Sequence, residues 1–440
     1  MTSSIATIRT EGLGDSTYVL VREGIAIVVD PQRDIDRFEQ VLTEAGAEPR
    51  LVLETHLHND YVSGGRDLAR KTGAELVMPA GAAPAFRHRP AFHHEDLDLG
   101  QMVVRPIHTP GHTPEHTSYL VLIDGQELAV FTGGSLLVGS AGRTDLLGDE
   151  RAESLARLQY GSVNRLAALP ETVGLYPTHG AGSFCTTSGA GSVVSDVGSE
   201  KRTNPVLQYE DEDAFVVGQL SDLVPYPSYY RHMGPINLTG APEPDLSVPE
   251  IDTVPPGVTV VDARPSERFA AGHRPGALGV QLRDSFGTWV GWLTEHDTPL
   301  ALVLDDDQDT DEAMRQLARI GYDDVRGVLR SPNGGPLASF RTVGPEEFAA
   351  AARSGAQILD VRAPNEWEEG TIDGSLLTHL PDLARQTPEG LEATSPVWVV
   401  CGSGYRASTA AGILLDRGFE PIVLAEGGAT DVLAVTSKTA

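Results

Sequence analysis

THLHNDYVSGG (55–65) follows at once on the apolar run LVLET (51–55). The run reads as a short strand that delivers the chain into a turn. That turn carries His56, His58 and Asp60. Working outward, TPGHTPEH (109–116) adds His112 and His116 in a Gly-Pro turn, and YPTHG (176–180) adds His179 after another predicted strand. Imidazole and carboxylate are ligands that suit zinc and iron. Turns at strand ends can aim several such side chains at one point. A lone histidine reads as a satisfied polar residue, but three clusters in the same context read as a metal site. His116 is expected at the rim of that site.

The surrounding pattern predicts a hairpin from TYVLV (17–21) and IAIVVD (25–30), a helix over about 34–46, strands near 75–78, 103–108, 118–123 and 127–131, and a helix over 152–168. Residues 186–204 are rich in Gly, Ser and Thr and read as a loop or tether. Residues 225–245 are dense in Pro and Gly and read as the link into a new domain.

Beyond that link the sequence repeats itself. VVDARPSERFAAGHRPGA (260–277) aligns without gaps on ILDVRAPNEWEEGTIDGS (358–375). Asp262 pairs with Asp360, Arg264 with Arg362 and Gly272 with Gly370, and PLALVL (299–304) then aligns with PVWVVC (396–401). Each copy alternates strand and helix, which implies an α/β domain with a parallel sheet. Cys401 closes a strand in the second copy and opens the loop Gly402, Ser403, Gly404, Tyr405, Arg406 before a helix. A loop at a helix N-terminus presents backbone N–H groups that favour a thiolate or a persulfide sulfur. Four residues separate Cys401 from Arg406, one fewer than in cysteine phosphatases, which suits a sulfur atom over a tetrahedral phosphate. The first copy has Leu304 at the cysteine position, followed by Asp305, Asp306, Asp307 and Asp309. It has no nucleophile, and its loop would repel anions.

THLHND, TPGHT, FTGGSLLVGSAGRTDLLG (131–148) and YPTHGAGSFC (176–185) together resemble the metallo-β-lactamase superfamily, and within it the persulfide dioxygenase–rhodanese fusions of bacterial sulfide detoxification. The resemblance implies an αββα metallo-β-lactamase fold over 1–242, an inactive rhodanese-like α/β domain over 243–338, and an active rhodanese over 339–440. It also implies oxidation of a low-molecular-weight thiol persulfide at mononuclear Fe(II), with sulfane sulfur passed through Cys401 to give sulfite or thiosulfate. The thiol would be glutathione, coenzyme A or a similar carrier, and a homodimer or homotetramer is expected. In the family, iron is held by the first histidine of HxHxDH, the histidine of TPGHT and the aspartate of FTGD. Carried over, these are His56, His112 and position 134, where this chain has Gly134. Tyr61 stands where dinuclear relatives carry a second-site histidine.

Three readings of Gly134 stay open. His58 joins His56 and His112 in a three-histidine site, as in catalytic zinc. Alternatively, iron binds two histidines and an exogenous ligand. In the third reading the site has lapsed, and the chain is a sulfurtransferase on a scaffold or zinc-hydrolase domain. With the second-site histidine and the bridging carboxylate both absent, a dinuclear zinc hydrolase is not expected, and Asp60 and His179 would support the ligands or bind weakly. Replacing Gly134 with Asp is expected to raise iron occupancy. Arg143 and Asp145 read as a structural pair, and Cys185 as a small buried residue.

The formal net charge is −29. Such a surface repels phosphate backbones, so no nucleic-acid partner is expected, and any anion site must be built locally. No apolar run is long enough to span a bilayer, and the N-terminus lacks signal-peptide features. No membrane partner and a cytoplasmic location are therefore expected. Two cysteines in different candidate domains argue against a structural disulfide.

Overall fold

The computed structural model describes residues 3–186, 192–221, 223–332 and 335–437. The chain divides into two compact units, Met1–Asp245 with Ala318–Gly321, and Leu246–Leu317 with Tyr322–Ala440. The boundary expected near 338 falls inside the second unit. Among the described residues no helix is long and apolar enough to cross a membrane.

Two six-stranded sheets form the first unit. Ser4–Thr10 and the hairpin Asp15–Arg22/Ile25–Val29 begin one of them. Glu48–Leu53, Glu75–Pro79 and Arg89–Ala91 then add in parallel. Alternation along each strand sends side chains to opposite faces. Tyr18, Leu20, Ile27, Leu51 and Leu53 turn inward against Tyr119, Val121 and Phe131 of the other sheet. Val19, Val28 and Val52 turn outward and bury against Phe38 and Leu42 of the helix Asp36–Glu44 and Leu68 of Gly65–Thr72. Leu120, Leu122 and Val130 do the same against the helix Asp149–Ala167. The result is an αββα sandwich, and the predicted histidine turns lie at its strand ends.

Two linkers expected from composition carry regular structure. Residues 187–191 lie outside the described residues, but Ser195–Asp196 pairs with Gly174 and Leu175. The helix Val197–Thr203 follows, and the Asp196 carboxylate accepts from the Ser199 amide at 2.7 Å. The one aspartate of this Ser-rich stretch thus supplied a helix cap rather than a tether. Within 225–245 the chain forms the helix Tyr230–Thr239 despite Pro235. Packing overrides propensity here, because the buried Asn237 amide donates to the carbonyls of His58 (2.9 Å) and Tyr61 (2.8 Å).

The second unit contains two parallel sheets with one strand order. Leu278–Gly279, Thr259–Asp262, Leu300–Val303 and Val325–Leu329 make the first. Leu376–Leu377, Gln357–Asp360, Val397–Val400 and Pro421–Leu424 repeat that order, and Arg341–Val343 adds an edge. Asp262 and Arg264 form a buried pair in the first copy, as Asp360 and Arg362 do in the second. These pairs brace the strand ends.

Candidate metal centre and sulfur-transfer loop

His56, His112 and His179 are buried and offer ligand atoms within 4.8 Å of one another. Their hydrogen bonds fix which nitrogen is bare. The Arg143 carbonyl can only accept, so His112 keeps its proton on Nδ1 (2.7 Å). Its Nε2 is buried and has no hydrogen-bond partner. Thr55 Oγ1 donates to Asp30 Oδ2 (2.7 Å) and therefore accepts from His56 Nδ1 (2.9 Å). An ionised Asp15 carboxylate accepts from His179 Nδ1 (2.8 Å). The Nε2 atoms of His56 and His179 consequently face each other as lone pairs at 3.3 Å. Bare nitrogens at that spacing repel, whereas ligands at 2.0–2.1 Å in a tetrahedron sit about 3.4 Å apart. The three imidazoles fit a metal ion. Burial and the neighbouring rings hold the pKa values of His56 and His112 well below the ordinary range, and burial lowers that of His179. All three rings are thus in the neutral form that ligation requires.

His58 points elsewhere. Its Nε2 meets Glu54 (3.1 Å), Asp30 (3.3 Å) and the Tyr61 hydroxyl (3.0 Å). Burial opposes charge on this ring, but the two carboxylates outweigh it and raise its pKa well above the usual value. His58 Nδ1 is buried without a hydrogen-bond partner, and the buried Asp60 Oδ2 lies 3.4 Å from His179 Nδ1. With His179 these residues form a second possible ligand group, adjoining the first. Burial lifts Asp60 to about 8 and Asp15 to about 7.

Gly134 sits under His112. A Cβ placed there would lie 2.2 Å from His112 Cδ2. The Gly134 amide donates to His116 Nε2 (2.9 Å). His116 is therefore fully buried rather than at the rim, and its pKa is pushed down to about 3 by burial. Any side chain at 134 would meet the His112 ring and a backbone pinned by His116, and this geometry weighs against the expectation that Asp there completes the site. Arg143 and Asp145 form the expected structural pair, with Nη2–Oδ2 at 2.6 Å, and Cys185 is fully buried.

In the second unit, Cys401 follows the strand Val397–Val400 and is buried. The helix Tyr405–Asp416 begins four residues on. The amides of Gly402, Ser403 and Gly404 have no acceptor among the described residues, and the first amides of a helix lack one by construction. Gly404 has φ 79° and would place a Cβ 2.7 Å from the Ala425 carbonyl, so the loop requires glycine there. Arg406 donates twice to the Glu366 carboxylate, Nη2 at 2.7 Å. In the first copy Leu304 is fully buried, and Gln308 rather than an anion cradle closes the loop, donating to the Ala263 carbonyl at 2.8 Å.

The sequence model of the metallo-beta-lactamase superfamily matches residues 10–179, and that of the rhodanese-like domain matches 344–434. The chain joins a metallo-β-lactamase domain to a C-terminal rhodanese domain. A metallo-beta-lactamase from Staphylococcus aureus subsp. aureus COL shares the fold with a TM-score of 0.70 and 28% identity, covering 75% of this chain and 99% of that one. A hydroxyacylglutathione hydrolase of Glaesserella parasuis is 28% identical over 224 residues, 46% of this chain and 90% of the relative. Another from Methylobacillus flagellatus is 30% identical over 164 residues, 37% of this chain and 60% of the relative.

Several residues of these two domains gave no signal in sequence. Asp15, in the strand Asp15–Arg22, and Asp30, just past Ile25–Val29, orient the metallo-β-lactamase imidazoles from other parts of the chain. Asn237 holds the metal turn from a segment read as a linker. Glu366 of the rhodanese domain lies in the repeat, but its partner Arg406 is 40 residues on.

Proposed function

We propose that this chain processes sulfane sulfur carried on a small thiol. His56, His112 and His179 would hold a metal ion, iron in the leading reading, which would supply the chemistry for oxidising a thiol persulfide with dioxygen. Cys401 then transfers sulfane sulfur to or from the products, sulfite and thiosulfate. The observation that carries this reading is the pairing, in one chain, of converging bare imidazole nitrogens with a cysteine heading a loop of unpartnered amides.

When bound, the ion supplies a site for substrate sulfur and the means to activate dioxygen. The chain's own residues do the rest. Asp15, Thr55 and the Arg143 carbonyl lock the ring orientations, so no reorganisation is needed on binding. At the other site the Cys401 thiolate attacks an outer sulfur, and the amides of Gly402, Ser403 and Gly404 stabilise the persulfide that forms.

A second reading has its own support. Three imidazoles with no carboxylate at 134 match a catalytic zinc donor set. The hydroxyacylglutathione hydrolases among the relatives belong to that reading. One experiment separates the two. The purified chain is assayed for iron and zinc, for dioxygen uptake with glutathione persulfide, and for hydrolysis of a glutathione thioester. Iron-dependent uptake with sulfite formation is expected. Zinc with thioester hydrolysis and no uptake would replace the dioxygenase reading with the hydrolase one. In either case, thiosulfate:cyanide transfer is expected to vanish in Cys401→Ser.

A further inference from the structure

The helix that follows the Cys401 loop packs against the other copy of the repeat. Thr409 of this helix donates to the Gly279 carbonyl, and the Tyr405 hydroxyl donates to the Gln281 carbonyl at 3.4 Å. Two guanidiniums stand at the loop, each beside an aromatic ring of the other copy. Arg406 lies 6.0 Å from the Trp289 ring centroid, and Arg283 lies 4.6 Å from that of Tyr405. Their charges are not equivalent. Arg406 is matched by the bidentate Glu366 carboxylate. Arg283 is exposed and makes no ion pair among the described residues. It lines a cavity of about 120 Å³ together with Gln281 and with Ser403, Gly404 and Tyr405 of the sulfur loop. Glu267 is the one carboxylate on that cavity, and it too makes no ion pair.

A chain of net charge −29 repels small anions in general. Recruitment of an anion therefore needs a local cation whose charge is not already matched. We propose that Arg283, supplied by the copy that lacks a nucleophile, is the specificity-determining cation that draws anionic sulfur donors, thiosulfate first among them, to the Cys401 loop. This rests on the sulfur-transfer reading of Cys401. In the step served, the Cys401 thiolate attacks the sulfane sulfur of thiosulfate. A new S–S bond forms on Cys401, the S–S bond of thiosulfate breaks, and its electron pair leaves with sulfite. Total charge is conserved at −3. Arg283 offsets the approach of the dianion to a thiolate and touches no reacting atom.

The full chain is assayed for thiosulfate:cyanide transfer as wild type, Arg283→Gln, Arg283→Lys and Cys401→Ser, at low and high salt. In Arg283→Gln, KM for thiosulfate is expected to rise about tenfold with kcat within about twofold, since a uniform binding contact is removed. The salt dependence of kcat/KM should flatten in the same variant, because the screened attraction is gone. Arg283→Lys should recover most of the loss, which a merely structural stacking role would not allow. An unchanged KM in Arg283→Gln, or a fall in kcat that lysine does not rescue, overturns the proposal while leaving Cys401 as the nucleophile. Transfer that persists in Cys401→Ser, or is absent from the wild type, overturns the sulfur-transfer reading and this inference with it.

Discussion

The Gly134 backbone lies flat against the His112 imidazole, and that contact decides what the position can hold. A Cβ at 2.2 Å from a ring carbon cannot be relieved by rotating a flexible tip. The ring is tied through Nδ1 to the Arg143 carbonyl, and the Gly134 amide is tied to His116. Overpacking of this kind costs about 1–3 kcal/mol. Both Gly134→Asp and Gly134→Ala are therefore expected to destabilise the metallo-β-lactamase domain by that amount, and to leave the purified chain with less than half its metal. Calorimetry and elemental emission measure the two effects. Metal content that rises with Asp but falls with Ala would show that position 134 can present a ligand after all. The replacement of an expected carboxylate by Gly134 was legible from sequence, but its steric cause was not. Nothing in FTGGS says that a histidine from another turn lies on top of it.

At the scale of elements, the short helix Pro364–Trp367 exists to present Glu366. Its carboxylate accepts from the Ala363 amide at 2.9 Å and from Arg406, joining the helix to the head of Tyr405–Asp416. Burial alone would raise the Glu366 carboxyl, but Arg406 outweighs burial and holds it below the usual carboxylate range. Its ionised form therefore stabilises the fold above the ordinary value of 4.5. That contribution fades as pH falls from there through the folded value. Glu366→Gln is expected to lose about 1 kcal/mol at neutral pH, the range of a partly exposed ion pair. It should also show a shallower loss of stability below pH 4.5 than the wild type. Urea melts across pH would measure both, and parallel acid limbs would sink the account. Elements with continuous apolar runs, such as Asp15–Arg22 and Thr117–Ile123, were readable because both of their faces are buried. Val197–Thr203 and Tyr230–Thr239 were not, because their stability comes from a cap and from Asn237 rather than from their own propensity.

On the scale of the whole molecule, the order of parts was readable because each leaves a local mark: clustered histidines after strands, then a repeat with one nucleophile. The assembly of each site was less so, since it depends on partners distant in sequence. His179 meets Asp15 across 164 residues and His56 across 123. The same arrangement makes the two chemistries separable. All the converging imidazoles belong to the first unit, and Cys401 with its loop belongs to the second. Each unit also has its own buried core. A ligand that binds only the native state stabilises only what its binding site unfolds with. Stripping metal with a chelator is therefore expected to lower the melting of the first unit by several degrees. The second transition and the rate of thiosulfate:cyanide transfer should stay within about twofold of their starting values. Adding back iron or zinc should restore the first transition alone. Calorimetry with parallel sulfur-transfer assays would read this directly. Loss of Cys401 transfer in step with metal content would mean that the two sites are energetically coupled and that two independent cores misdescribe the chain.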